Sequence, residues 1–193
     1  MNETIWTVTP TTTPTVIRHC SKCNRKSNYY CSEKFRANAN QQRVDVWLIY
    51  KCTKCDSTLK LTIYKGIRPK DLPPGLFDKF VNNDAALAWE YAFNRNFLKQ
   101  QACVVDYAGI EYTVESPNPA TVPLLVQIKT QYPFDLKLSV LLAKMLNTSI
   151  SQIKKLAETG NISASPEINI IKHRIKSDTD ITLAISSLST NSP

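Results

Sequence analysis

A chain of 193 residues with 42% hydrophobic residues, 21% charged residues and only 4 glycines has the makeup of an ordered globular protein, which excludes a linker or a disordered tail. Its formal net charge of +8 is unevenly spread: residues 1–70 hold thirteen Lys/Arg against four Asp/Glu, residues 71–135 four against eight, and residues 136–193 seven against four. Two basic ends around an acidic middle predict three modules and direct any polyanionic partner to the ends, while the strand and helix signals taken below predict an α+β protein.

No apolar run reaches the ~18 residues of a membrane span, and "MNETIWTVTPTTTPT" lacks the basic start and apolar core of a secretory leader. The expected location is therefore the cytoplasm, with no membrane partner. In that reducing compartment six cysteines point to metal binding or catalysis and away from a disulfide framework.

The first module, residues 1–70, carries Cys20 and Cys23 in "RHCSKCN" and Cys52 and Cys55 in "KCTKCD". Zinc takes four soft ligands in a tetrahedron, and a two-residue gap lets one tight turn present two sulfurs. Two such turns close a site with no open position, so one structural Zn2+ on Cys20, Cys23, Cys52 and Cys55 is expected. A redox pair would stand alone at a helix start, whereas here each pair lies among strand-like residues. "RVDVWLIYKC" (43–52) is β-branched and aromatic, and "STLKLTIYKG" (57–66) alternates Leu59, Leu61 and Ile63 with polar residues. They predict a hairpin with the second cysteine turn at its bend, while "TVIRHC" delivers the first turn. This layout resembles a zinc ribbon. Cys31 is read as a fifth, unbound thiol and His19 as a turn residue. Between the pairs, Tyr29, Tyr30 and Phe35 are combined with Lys34, Arg36 and Arg43, which suits either a nucleic-acid surface or a thin core with a solubilising exterior.

The stretches "WTVTPTTTPTVIRHCSKC", "CSEKFRANAN" and "DVWLIYKCTKCD" together resemble a bacterial family catalogued as a domain of unknown function. The resemblance implies a small bacterial cytosolic protein and brings no activity or catalytic residues with it.

The second module, residues 71–135, begins where Pro73 and Pro74 break the preceding strand. Asn83 or Asp84 is the expected cap of an amphipathic helix whose apolar stripe holds Leu87, Tyr91 and Leu98, with Glu90, Asn94 and Arg95 facing away. "CVVDYAGIEYTVES" predicts two short strands around Gly109, and "PNPATVP" a loop leading into "LLVQIKTQYPF". Cys103 is expected to be a packing thiol. Asp106 and Glu111 are the one carboxylate pair to weigh for acid–base work, and without a nearby histidine they read as strand or turn positions.

The third module, residues 136–193, predicts a helix through Leu138, Leu141, Leu142 and Met145, a stop and cap at "NTS", and a second helix from Ser151 to Glu158 ended by Gly160. "EINIIKHRI" and "DITLAIS" read as short strands. In this order Lys137-Leu138-Ser139, Ser149-Ile150-Ser151, Lys154, Lys155, Leu156, Gly160 and Ile162, and Arg174-Ile175-Lys176 with Asp180-Ile181, resemble the S4 RNA-binding domain. The resemblance implies basic side chains presented to structured RNA, such as ribosomal or transfer RNA, by Lys137, Lys144, Lys154, Lys155, Lys172, Arg174 and Lys176. Two departures stand out: Ile150 occupies a position where the S4 pattern has arginine, and "SASPEIN" stands where it has an Asn-Gly-Lys turn. With two histidines and no phosphate-binding glycine loop, the chain reads as a non-catalytic, RNA-associated protein. The alternative is a protein-interaction adaptor that uses the same zinc ribbon.

Overall fold

The computed structural model describes residues 2–40, 42–116, 124–132, 134–175 and 181–187. In chain order its strands are β1 (Asn2–Pro10), β2 (Thr15–Cys20), β3 (Arg25–Asn40), β4 (Arg43–Cys52), β5 (Thr58–Ile67), β6 (Val104–Asp106), β7 (Tyr112–Glu115), β8 (Leu124–Thr130), β9 (Ile162–Ser165) and β10 (Ile181–Ile185). The helices are α1 (Leu76–Val81), α2 (Ala85–Phe93), α3 (Arg95–Gln100), α4 (Leu138–Met145) and α5 (Ile150–Glu158). Helices and sheets together make a mixed α+β fold. No described helix is long and apolar enough to cross a membrane.

The chain divides into two compact units, residues 12–110 and residues 1–11 with 111–193. This division replaces the expected boundaries at 70 and 135, and backbone pairing is the reason. The extreme N-terminal strand β1 runs parallel to β8, from Asn2↔Leu124 to Val8↔Thr130, and antiparallel to β7, which ties it to the C-terminal half. The helices of the supposed middle module instead pack on the cysteine-bearing sheet.

In the 12–110 unit the sheet order is β5-β4-β3-β2-β6, antiparallel throughout. Alternation along each strand sends Val16, Tyr29, Phe35, Val46, Leu48, Tyr50 and Leu61 to one buried face. The helices cover that face. Phe80 of α1 meets Phe35 edge-on at 5.0 Å and Tyr64 at 6.0 Å, while Tyr91 of α2 lies 6.3 Å from Phe35. Tyr29 and Phe35 are thus core residues and Tyr30 is exposed, so the aromatic stretch splits between its two readings.

The expected single helix after Asp84 is two. Asp84 caps α2 by accepting from the Leu87 amide at 2.8 Å, and Asn94 then leaves helical geometry to cap α3 by accepting from the Phe97 amide at 2.9 Å. An asparagine side chain competes well with continued helix at such a point. The apolar stripe survives the break, with Leu87, Ala88, Ala92, Phe97 and Leu98 buried and Glu90, Asn94 and Arg95 exposed. Asp106 accepts from Asn28 Nδ2 at 3.0 Å and from the Ala108 amide at 3.0 Å, which is the work of a turn residue.

Cys31 pairs across the sheet with Tyr50, and both are buried. Burial pushes the Cys31 thiol up to about 11 and, with Tyr64 nearby, the Tyr91 phenol up to about 12. Both groups are raised above ordinary values of 9.0 and 10.0, so the stability they confer is complete below pH 9.0 and is lost as pH rises through 11 and 12. The urea midpoint is expected to hold steady from pH 7 to about 8.5 and to fall by pH 11. A flat profile across that range would contradict the burial of these two groups.

In the other unit the sheet order is β7-β1-β8-β10-β9. Trp6 and Val8 of β1, Val126 and Ile128 of β8, and Ile181, Leu183 and Ile185 of β10 form its buried face. The helix pair follows expectation: Ser149 caps α5 by accepting from the Gln152 amide at 3.1 Å, Ile153 and Leu156 turn inward, and Gly160 leaves the helix at φ +74°. "EINIIKHRI" is a correction. Asn169 folds it into a turn by accepting from the amides of Lys172 and His173, and only Arg174 forms an isolated bridge, to Lys137. The neighbouring strand is β9, at 162–165, which the sequence reading passed over. "PNPATVP" lies outside the described residues.

Candidate metal centre

Strands β2 and β4 flank β3 and run in the same direction, so their C-terminal cysteines, Cys20 and Cys52, arrive at one end of the sheet. Each chain then turns within four or five residues into the next strand, carrying Cys23 and Cys55 back toward the same point. The residue after each pair supplies the reversal: Asn24 has φ +49° and Asp56 has φ +56°, a left-handed conformation that Asn and Asp tolerate better than other side chains. The second turn is closed by the Asp56 amide donating to the Cys52 carbonyl at 2.9 Å and the Cys52 amide donating to the Ser57 carbonyl at 2.9 Å. It is tied to the first hairpin by the Thr53 amide and hydroxyl, which both donate to the Asn28 carbonyl at 3.0 Å.

The four sulfurs of Cys20, Cys23, Cys52 and Cys55 all lie within 4.8 Å of one another. Cys20 Sγ is 3.5 Å from Cys55 Sγ, and Cys23 Sγ is 4.0 Å from Cys52 Sγ. A tetrahedron with Zn–S bonds of ~2.3 Å has S···S edges of ~3.8 Å, so the donor set and its size are compatible with one zinc ion. His19 is exposed on the other side of β2, and Cys31 and Cys103 are buried apart from the cluster.

Cys20, Cys23 and Cys52 are shifted in different directions. The Ser57 hydroxyl, then Tyr29 and the Cys23 backbone, hold Cys20 down to about 5, and the Lys54 backbone lowers Cys52. Hydrogen bonding with Cys55, followed by burial, pushes Cys23 up to about 12. Sulfurs this close resist ionising all together, and a divalent cation at their centre would lift that resistance.

Ser57 is a site residue that the sequence reading missed. Its Oγ lies 3.2 Å from both Cys20 Sγ and Cys55 Sγ. Around the rim, Asp56 accepts from Lys51 Nζ at 3.0 Å and from Tyr30 Oη at 3.0 Å, which keeps its carboxyl below the usual range. A serine two positions after a cysteine pair and an aspartate beside it carry no distinctive spacing, so only the closed turn reveals them.

The residues expected to meet RNA are placed unevenly. Lys137, Lys155 and Lys172 are exposed, whereas Lys154 pairs with Glu158 at 3.7 Å and Arg174 pairs with Asp135 at 2.7 Å. Lys144 lies 4.3 Å from the Tyr112 ring centroid and donates to the Tyr112 carbonyl at 3.4 Å. Lys176 lies outside the described residues. The unit that contains all seven has eight Lys/Arg and eight Asp/Glu, and the cysteine-bearing unit has sixteen against eight. The whole excess of +8 therefore belongs to the cysteine-bearing unit, not to both ends of the chain.

No curated protein and no solved structure matches the chain. A family model does match, over residues 37–168, which takes in Cys52 and Cys55, all of α1 to α5 and parts of both compact units. That span is more than half of the chain, and the protein accordingly belongs to the family described as protein of unknown function (DUF1062).

Proposed function

We propose that this is a non-catalytic, zinc-containing RNA-associated protein that meets its RNA chiefly through the cysteine-bearing unit. The observation that carries the reading is the confinement of the net charge of +8 to residues 12–110. Zinc on four thiolates has a structural role here, as in a zinc ribbon, because a closed tetrahedron leaves no position for a reactant. Four thiolates and a dication add a formal −2, which leaves the unit at about +6. The exposed cations Lys22, Arg25, Lys26 and Lys54 cluster on the two cysteine turns, and among the described residues none of them has an ion pair. The S4-like helices play a secondary part, since Lys154 and Arg174 are already paired within a unit of zero net charge.

The test is fluorescence anisotropy of the zinc-loaded protein with an RNA hairpin that has a single-stranded loop and with a duplex DNA of equal length. With about four phosphate contacts, RNA affinity is expected to fall roughly 50-fold between 50 and 200 mM salt. No binding at 50 mM salt would turn the reading to the protein-interaction adaptor.

A further inference from the structure

The sheet of the 12–110 unit has one face under helices and one face that no described helix of that unit covers. On the open face the register places Tyr30 beside Lys51, Ile49 between Lys34 and Lys60, and Trp47 between Arg36 and Thr62. Lys34, Arg36 and Lys60 are exposed, Tyr30 is 42% exposed, and Trp47 is half-buried with Lys60 Nζ 5.3 Å from its ring centroid. The neighbouring acids are engaged: Asp45 accepts from the Gly66 amide at 2.6 Å, Asp56 is held by Lys51 and Tyr30, and Glu33 accepts from Trp89 Nε1 at 2.7 Å. Lys34 and Arg36 have no ion pair among the described residues.

We infer that this open face binds an unpaired segment of RNA, with bases stacked on Trp47 and Tyr30 and phosphates on Lys34, Arg36 and Lys60. This rests on the RNA-associated reading and specifies its surface. Aromatic rings on a flat sheet offer a π-face to any base that is free of a duplex, and flanking cations set at strand spacing follow the backbone that links successive bases. A duplex keeps its bases stacked inside and cannot use the rings. Charge complementarity selects the occupant, because the face presents cations and aromatics with its acids already bonded. When a base takes the Trp47 ring, the Lys60 ammonium is released to a phosphate.

The experiment compares a fluorescein-labelled 12-nucleotide single-stranded RNA of mixed sequence with its duplex, using the full-length zinc-loaded protein. Single-strand preference is expected, with Arg36→Ser plus Lys60→Ser lowering affinity about tenfold and flattening the salt dependence. Trp47→Ala is expected to lower affinity about tenfold. Since Trp47→Ala can disturb the sheet, Trp47→Phe provides a second measure. Binding should persist in it, while the quenching of tryptophan emission that accompanies binding is lost. Lys154→Ala plus Lys155→Ala should leave affinity within about twofold. Equal affinity for duplex and single strand, or RNA binding unmoved by the sheet-face variants, overturns the assignment of this face and leaves the RNA reading standing. Absence of binding by the wild-type chain to any RNA overturns both.

Discussion

Replacing Cys52 with serine, or stripping the metal with a strong chelator, is expected to lower the melting midpoint of the cysteine-bearing unit by about 15 °C or more. Cys52 is 1% exposed and ends β4, an interior strand that pairs with both β3 and β5. Structural zinc supplies about 10–16 kcal/mol in small zinc-finger peptides, against total stabilities of about 5–15 kcal/mol for whole domains. Even a third of that contribution, about 3–5 kcal/mol, is a large part of the stability that a unit of this size has to lose. The two hairpins would still carry their apolar face, but the ends of β2 and β4 would be held by crowded thiols that cannot all ionise together. Metal analysis of the purified protein should give one zinc per chain, and the serine variant much less. Full-length protein with no bound zinc and an unchanged midpoint after chelation would remove the metal from the account.

The second large effect is expected at Phe80. It is 1% exposed, and its ring meets Phe35, Tyr64 and Tyr91 at centroid distances of 5.0, 6.0 and 6.3 Å. Phe80→Ala removes the residue through which the short helix α1 holds the sheet, and truncations of this kind cost about 3–5 kcal/mol. Edge-to-face partners left without their ring add to the cavity cost. Denaturant unfolding should show a lower midpoint, with Phe80→Leu recovering part of the loss because it refills much of the volume. A change below about 1 kcal/mol for Phe80→Ala would mean that α1 does not anchor the helical layer.

The four-cysteine cluster, which could hold a metal ion, was the most legible part of the sequence. Two CxxC pairs with strand-like flanks specify their own ligands, because a two-residue gap, a tetrahedral ion and a β-hairpin each impose short-range geometry. For the same reason β4 runs from Arg43 to Cys52 as expected, and Asp84 and Ser149 cap their helices as expected. Local periodicity and capping are properties of a few neighbouring residues. The likeness to a family of unknown function was also legible, and the match over residues 37–168 bears it out.

What the sequence did not determine is who pairs with whom. The alternation of Thr4, Trp6 and Val8 with Glu3, Ile5 and Thr7 marks a strand, but not that its parallel partner lies some 120 residues away. That pairing moves residues 2–10 out of the cysteine-bearing unit and erases the boundary expected at residue 70. The charge argument then changes with it, because net charge acts through the compact body that carries it. Window counts along the chain found two basic ends, whereas the folded units put the whole excess on one. Asn94 could equally have continued a helix or capped the next, and the choice depends on both helices packing against the same sheet. The open sheet face likewise emerges only when β3, β4 and β5 are laid in register, since Arg36, Trp47 and Thr62 become neighbours through hydrogen bonds between strands and not through the order of the chain.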